Sequence, residues 1–223
     1  RHDHRITRPL NTDLFIQDEQ EFRDAFQRFH DILAVIRKAT GSRSKALARK
    51  GLDLIDIDRV VYTMQQSIGS VGDSLPNPNQ ARKRIGMLFE SLVKLIIQEI
   101  GVSCESRNVK IPLPGHPDLF MPYELDLVLS RGKAIITSET TIVAKSEIVG
   151  SVKTTSKDRI DKVFLDKFML SKLLRRDVRV IAIFLHDVQR AKKGGSIFGI
   201  NSTFKTNHFL GYSIALNPLD GVY

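Results

Sequence analysis

The sequence predicts an α/β (α+β) fold, a central mixed β-sheet flanked by helices, with an N-terminal helical extension. Three observations predict it. Residues 12–38 and 79–100 repeat apolar side chains at helical spacing, whereas residues 123–136 and 147–153 form short β-prone runs. A second helical pattern near Ile160 precedes the continuous apolar run Val178–Leu185, which suits a strand at the centre of a sheet covered on both faces.

From Thr12 to Lys38, Leu14, Phe15, Phe22, Phe26, Phe29, Ile32, Leu33 and Ile36 describe an amphipathic helix, and Asp53–Ser67 predicts another. Gly69–Pro78, with two glycines and two prolines, reads as a linker. Residues 1–78 are therefore taken as a helical extension and 79–223 as the core. Asn79–Ile100 is the strongest helix, with Ile85, Leu88, Phe89, Leu92, Ile96 and Ile100 on one side. Arg82, Lys83 and Arg84 near its start oppose the helix dipole, which points to another reason for their presence, such as phosphate contact.

Tyr123–Ile136 reads as a hairpin turning at Ser130-Arg131-Gly132. On its first strand Glu124 and Asp126 share one face and Leu125, Leu127 and Leu129 the other. Glu147–Lys153 is the next strand. Thr154–Ser156 then supplies a cap, and Lys157, Asp158 and Arg159 fall in the first turn of a helix whose buried stripe is Ile160, Val163, Phe164, Leu170 and Leu174. Asp166, about two turns beyond Arg159, flanks that stripe and can turn back towards the strand. Arg190–Gly195 reads as an exposed basic loop, and Ile197–Tyr223 as strand-like pieces and turns.

The chemistry concentrates at Ser151-Val152-Lys153-Thr154-Thr155-Ser156-Lys157-Asp158-Arg159, followed by Asp166. A strand lysine beside an acid on a neighbouring strand brings an amine and a hard cation to one place, and Mg²⁺ needs only one or two carboxylates besides water and phosphate oxygens. That combination suits metal-dependent phosphodiester cleavage. Taken singly, Asp126 reads as an exposed strand acid, Lys153 as a solvated lysine, Asp158 as a helix-start acid and Arg159 as a surface arginine. Asp166 alone reads as an ion-pair partner of Lys162 or Lys167.

Together these residues resemble the PD-(D/E)XK nuclease superfamily, in particular the type II restriction endonucleases that recognise CCGG or interrupted CC/GG sites. The superfamily pattern has an acid two residues before the lysine, where this chain has Ser151. The CC/GG subgroup shows a similar departure, its displaced acid coming from the following helix twelve or thirteen residues past the lysine; Asp166 stands thirteen past Lys153. The subgroup more often has Glu there. The resemblance spans roughly Ala81–Leu185 and includes Gly86-Met87-Leu88-Phe89-Glu90, similar to the helix motif that presents the family's first glutamate. Glu99 is the competing acid.

The resemblance implies a restriction-endonuclease-like core and a site-specific double-strand DNA endonuclease using Mg²⁺. Asp126, Asp166 and Glu90 would be metal ligands, Lys153 the residue that positions and helps deprotonate the attacking water, and Lys157, Asp158 and Arg159 the readers of C·G pairs. A symmetric target implies a homodimer. Residues 1–78 would pack on the core, contact DNA or build the dimer interface. A structure-specific or repair nuclease of the same fold, and a non-catalytic DNA-binding domain, are the alternative readings.

Composition agrees with a polyanion partner: Lys+Arg 34 against Asp+Glu 25 gives a net charge of +9. Ten basic residues between Lys145 and Arg179 surround the site, of which Lys172, Arg175, Arg176 and Arg179 read as a solvated helix face. With 42% hydrophobic residues the chain can bury a sizeable core, and no apolar run reaches membrane-spanning length, so the expectation is a soluble protein. Cys104 stands alone, excluding an internal disulfide and a cysteine-based zinc site and agreeing with a cytoplasmic location. His30, His116, His186 and His208 form no paired motif, His2-Asp3-His4 is too short for one, and the 14 glycines contain no phosphate loop. The chain opens at Arg1, so upstream residues are expected to have been removed, to be missing, or to belong to another domain.

Overall fold

The computed structural model describes residues 10–39, 41–73, 75–131, 134–156, 159–186, 188–190, 200–202 and 206–223. The described chain forms two compact units, the first ending at Gly101 and the second beginning at Val102. Among the described residues no helix is long and apolar enough to cross a membrane.

The first unit contains α1 (Glu19–Lys38), α2 (Arg43–Ala48), α3 (Ile55–Asp73) and α4 (Pro78–Glu99). Asp18 caps α1, its carboxylate accepting the Glu21 amide at 2.8 Å, and acids in the first turn and bases in the last complement the dipole. Ala25, Phe29 and Leu33 of α1 bury against Val60 of α3. Arg28 and Asp56 tie the same two helices by paired hydrogen bonds at 2.7 and 3.0 Å.

The segment read as a linker is mostly helix: α3 continues through Gly69 and Gly72 to Asp73. A Cβ on Gly72 would lie 2.6 Å from Ile85 Cδ1, so this glycine marks a close approach to α4 rather than a break. Asn77 caps α4 by accepting the Asn79 and Gln80 amides at 3.0 and 3.2 Å. The buried stripe of α4 is Ala81, Ile85, Phe89 and Val93, stepping by four, which leaves Leu88 exposed. Because α4 packs with α1 and α3, the contact division falls after Gly101, whereas the boundary read from sequence lies between 78 and 79.

In the second unit a five-stranded mixed sheet runs in the order β1 (Val102–Leu113), β2 (His116–Arg131), β3 (Ile148–Thr155), β4 (Val180–His186), β7 (Gly221–Val222). Pairing is antiparallel from β1 to β3 and parallel from β3 to β7. A short antiparallel pair, β5 (Val188–Arg190) and β6 (Ile200–Ser202), lies outside this sheet. α5 (Ile160–Leu173) links β3 to β4, and α6 (Thr206–Ala215) precedes β7. Val163 and Leu170 of α5 enter a core with Val109, Leu125, Val149 and Val180. Phe164 meets Phe209 and Tyr212 of α6 at ring separations of 5.3 and 5.6 Å. The mixed sheet with flanking helices is the class the sequence predicts.

Several local expectations are corrected. The hairpin is β1–β2, turning at Gly115 with φ +83°, not at Ser130-Arg131-Gly132. Gly132 and Lys133 lie outside the described residues, and residues 134–138 form no strand. The physical reason is Glu147, 1% exposed, whose carboxylate takes the amides of Ile136 and Thr137 at 2.5 and 3.3 Å, the Thr137 hydroxyl, and the Ala144 amide at 2.9 Å. Their hydrogen-bonding capacity is spent on a carboxylate instead of a ladder. Lys172, Arg175 and Arg179 are exposed, as the solvated-face reading has it, but Arg176 is half-buried, and Arg176 and Arg179 donate to the carbonyls of Ile142, Val143, Lys145 and Glu147, fastening the same loop. This restraint holds Val143 at φ +46°, an uncommon conformation for a β-branched residue.

Ile197–Tyr223 contains the helix α6 as well as strand, because Phe209 and Tyr212 supply an aromatic face for Phe164. Of the basic loop read at Arg190–Gly195, Arg190 ends β5 and the remainder lies outside the described residues.

Candidate active site

The site is built at the carboxyl end of β3 in the second unit. Beyond the Leu127–Gly150 pair, β2 and β3 no longer form a ladder. There the Asp126 carboxylate accepts the Val152 amide at 3.0 Å and the Ser151 hydroxyl at 3.3 Å, and pairs with the Lys153 ammonium. Ser151 and Lys153 are two apart on a strand and share its face, so one carboxylate oxygen collects both. The pair is sheltered but reachable, with side-chain exposures of 26% for Lys153 and 20% for Asp126.

Asp126 sits at a β-bulge. Arg107 pairs with Leu125 and Glu105 with Val128, so Asp126 and Leu127 together oppose the single residue Ser106. Leu125 and Val128 consequently enter one core although they are three apart. The strict alternation predicted for Glu124 to Leu129 is interrupted at the acid itself, where the strand re-aims its side chain.

From α5 comes a second carboxylate. Asp166 is half-buried and accepts from the Lys162 ammonium at 2.6 Å, the partner one turn earlier. Tyr123, presented by β2, lines the same cleft as Asp166. Burial first, then the nearby negative charge of Asp166 and Asp126, raise the Tyr123 pKa well above its ordinary value. The Lys162 ammonium lies 5.9 Å from the centre of the Tyr123 ring.

These groups line one cleft of about 370 Å³. β2 contributes Tyr123, Glu124 and Asp126; β3 contributes Ser151 and Lys153; the α5 end contributes Arg159, Lys162 and Asp166. Arg159 is exposed and occupies the N-cap position of α5 without a side-chain cap, so the capping role read for Thr154–Ser156 passes to the Ser156 carbonyl, which accepts the amides of Arg159 and Ile160 at 3.2 and 3.3 Å. Lys157 and Asp158 lie outside the described residues. Glu90 is half-buried on α4 and belongs to the first unit. Lys167, counted in the sequence among the basic residues around the site, is 3% exposed and instead pairs with Asp220 at 2.6 Å, whose carboxylate also accepts the Val180 amide at 2.7 Å.

The donor set lining the cleft is hard oxygen, the carboxylates of Glu124, Asp126 and Asp166 and the hydroxyls of Tyr123 and Ser151, with no histidine or cysteine among the lining residues. Among the described residues no group of three or more His, Cys, Asp or Glu side chains is placed to hold a metal. Two carboxylates completed by water and phosphate oxygens nevertheless match the coordination habit of Mg²⁺, whereas zinc would favour nitrogen or sulfur ligands.

Sequence reasoning gave Tyr123 no role, and read Lys162 as an ion-pair partner of Asp166 and as one of the basic residues around the site. The four-residue spacing of Lys162 and Asp166 was visible; the approach of Tyr123 depends on how α5 lies on the sheet.

No protein-family model matches the chain, and no curated protein matches it. Among solved structures it is similar to the crystal structure of the type IIP restriction endonuclease Kpn2I, at 18% identity and a TM-score of 0.63. That likeness covers 97% of this chain and 67% of the other. The mixed sheet, its flanking helices and this likeness together establish a restriction-endonuclease-like fold.

Proposed function

We propose that this protein is a Mg²⁺-dependent endonuclease that hydrolyses phosphodiester bonds of double-stranded DNA, acting as a type II restriction enzyme at a palindromic site containing CC/GG. The observation that carries the reading is the joint placement of Asp126, Ser151 and Lys153 in hydrogen-bonded contact, with Asp166 lining the same cleft.

Asp126 and Asp166 would hold Mg²⁺, with Glu90 a further candidate ligand; when bound, the ion stabilises negative charge on the phosphate and leaving oxygen. Lys153 orients a water for in-line attack on phosphorus and helps move its proton away. Val152 and Ser151 keep the Asp126 carboxylate turned towards Lys153 by their hydrogen bonds. Arg159, at the start of α5 on the cleft, reads guanine through its O6 and N7 atoms; Asp158 accepts from cytosine N4, and Lys157 adds a guanine or phosphate contact. A palindromic target read by two copies makes the working form a homodimer.

A supercoiled plasmid digested with Mg²⁺ tests the reading. Discrete fragments are expected, and sequencing their ends gives the site and cut position. Lys153→Ala and Asp126→Ala should each slow cleavage by about 10²-fold or more. Undiminished cutting by either variant removes the proposal; nicking or junction-selective cleavage by the parent protein replaces site-specific cutting with a structure-specific nuclease.

A further inference from the structure

The helix α4 buries one side and leaves another uncovered. Ala81, Ile85, Phe89 and Val93 are buried, whereas Leu88 and Leu95, about two turns apart on another side, are 48% and 61% exposed. Leu92, half-buried, lies between them along the helix, and exposed Met87 lies at the edge. The apolar surface is therefore a stripe, which marks an interaction face more than a scatter of single side chains would.

The charges at the ends of this stripe are those a second copy complements. Arg82, Lys83 and Arg84 are exposed near the amino end and Glu99 at the carboxyl end, the reverse of the order that suits a single helix dipole. An antiparallel partner turns that order into an attraction, because its carboxyl end lies against the basic end of the first helix. The spacing fits as well. Leu88 and Leu95 stand about one turn either side of the point between Ser91 and Leu92, and Arg84 and Glu99 about two turns either side. A two-fold axis through that point sets Leu88 of each copy on Leu95 of the other and Arg84 on Glu99, the reciprocal pairing of a closed dimer. Glu99 is only weakly engaged by its own chain: its pair with Arg37 is 3.4 Å long and more than half exposed on both sides. We propose that the Leu88–Leu95 stripe of α4 is the face through which two copies of this chain pair, antiparallel about a two-fold axis. The inference rests on the homodimer of the proposed function and names its surface.

Sedimentation velocity of the full chain at micromolar concentration, without DNA, tests it. Leu88→Glu and Leu95→Glu, at exposed positions, should each keep the helical circular dichroism signal and raise the dimer dissociation constant about a hundredfold or more, because each removes two apolar contacts per dimer. Arg84→Glu should raise it about tenfold, as should Glu99→Arg, and the two together, which reverse both pairs, should return it to within about threefold of the parent value. If these arginines serve only phosphate contact, neither charge change moves the constant and the inference falls. A monomeric parent, a dimer that survives both leucine changes, or a charge reversal without recovery also overturns it. Plasmid cleavage by the parent is read separately. Discrete fragments with a dimer that the variants leave intact keep the nuclease reading and discard this surface; a dimer lost in the variants, with no cleavage by the parent, keeps the surface and discards the nuclease.

Discussion

Arg159 illustrates how a single side chain acquires a role from its surroundings. Its charge does not cap α5, it makes no cap hydrogen bond, and it is exposed at the cleft that holds Asp126 and Lys153. Under the proposed function its five donors would go to DNA, and a bidentate contact to guanine is the pairing that matches its planar fork. Arg159→Ala should therefore lose about 1–3 kcal/mol of discrimination per lost contact while leaving the Asp126–Lys153 pair in place. Cleavage of a panel of oligonucleotides differing at one base pair measures this, and an unchanged preference removes the assignment. Lys167 makes the opposite case: one position from Asp166, it is turned inward to Asp220, so neighbours in sequence serve unrelated purposes.

At the scale of the element, the loop between β2 and β3 is organised by Glu147. Burial alone would raise the pKa of this carboxyl, but hydrogen bonds from the Thr137 hydroxyl and the amides of Ile136, Ala144 and Thr137 outweigh it and hold the pKa below its ordinary 4.5. The folded chain thus gives up the proton more readily than the unfolded one. The stability so contributed is present above pH 4.5 and is lost as pH falls below that value through the lower folded pKa. Glu147→Gln should cost about 1–3 kcal/mol near neutrality and flatten the acid limb of a stability profile measured by urea unfolding. An unaltered acid limb would show that the loop is held by Arg176 and Arg179 instead. The same network explains why a β-prone run at Ala134–Ile136 is not a strand: propensity is a weak preference, and four donors converging on one buried charge outweigh it.

For the whole molecule, the net charge of +9 and a DNA-directed reading make a common prediction. Binding should weaken steeply with salt, by about 10³-fold or more between 50 and 200 mM if six or more phosphates are neutralised. Fluorescence anisotropy with a labelled duplex measures the slope; a binding constant insensitive to salt would contradict a phosphate-tracking surface. The fold class was legible because long helical periods, β-prone runs and the apolar Val178–Leu185 segment are local patterns that burial preserves. Boundaries were less legible: Gly72 reads as a break in one dimension and is a helix contact in three, with Ile85 as its neighbour.

From the chain alone came the spacing of Ser151 and Lys153 on one strand face and of Lys162 and Asp166 on one helix face, because periods of two and of three to four residues are properties of the backbone itself. Tertiary structure decided the rest: the bulge at Asp126, the hold of Glu147 on its loop, the turn of Lys167 towards Asp220, and the placing of Tyr123 and Asp166 in one cleft. Each joins groups 10 to 53 residues apart or depends on strand register. No local period encodes such a distance; it is set by which surfaces the sheet and its helices bury together.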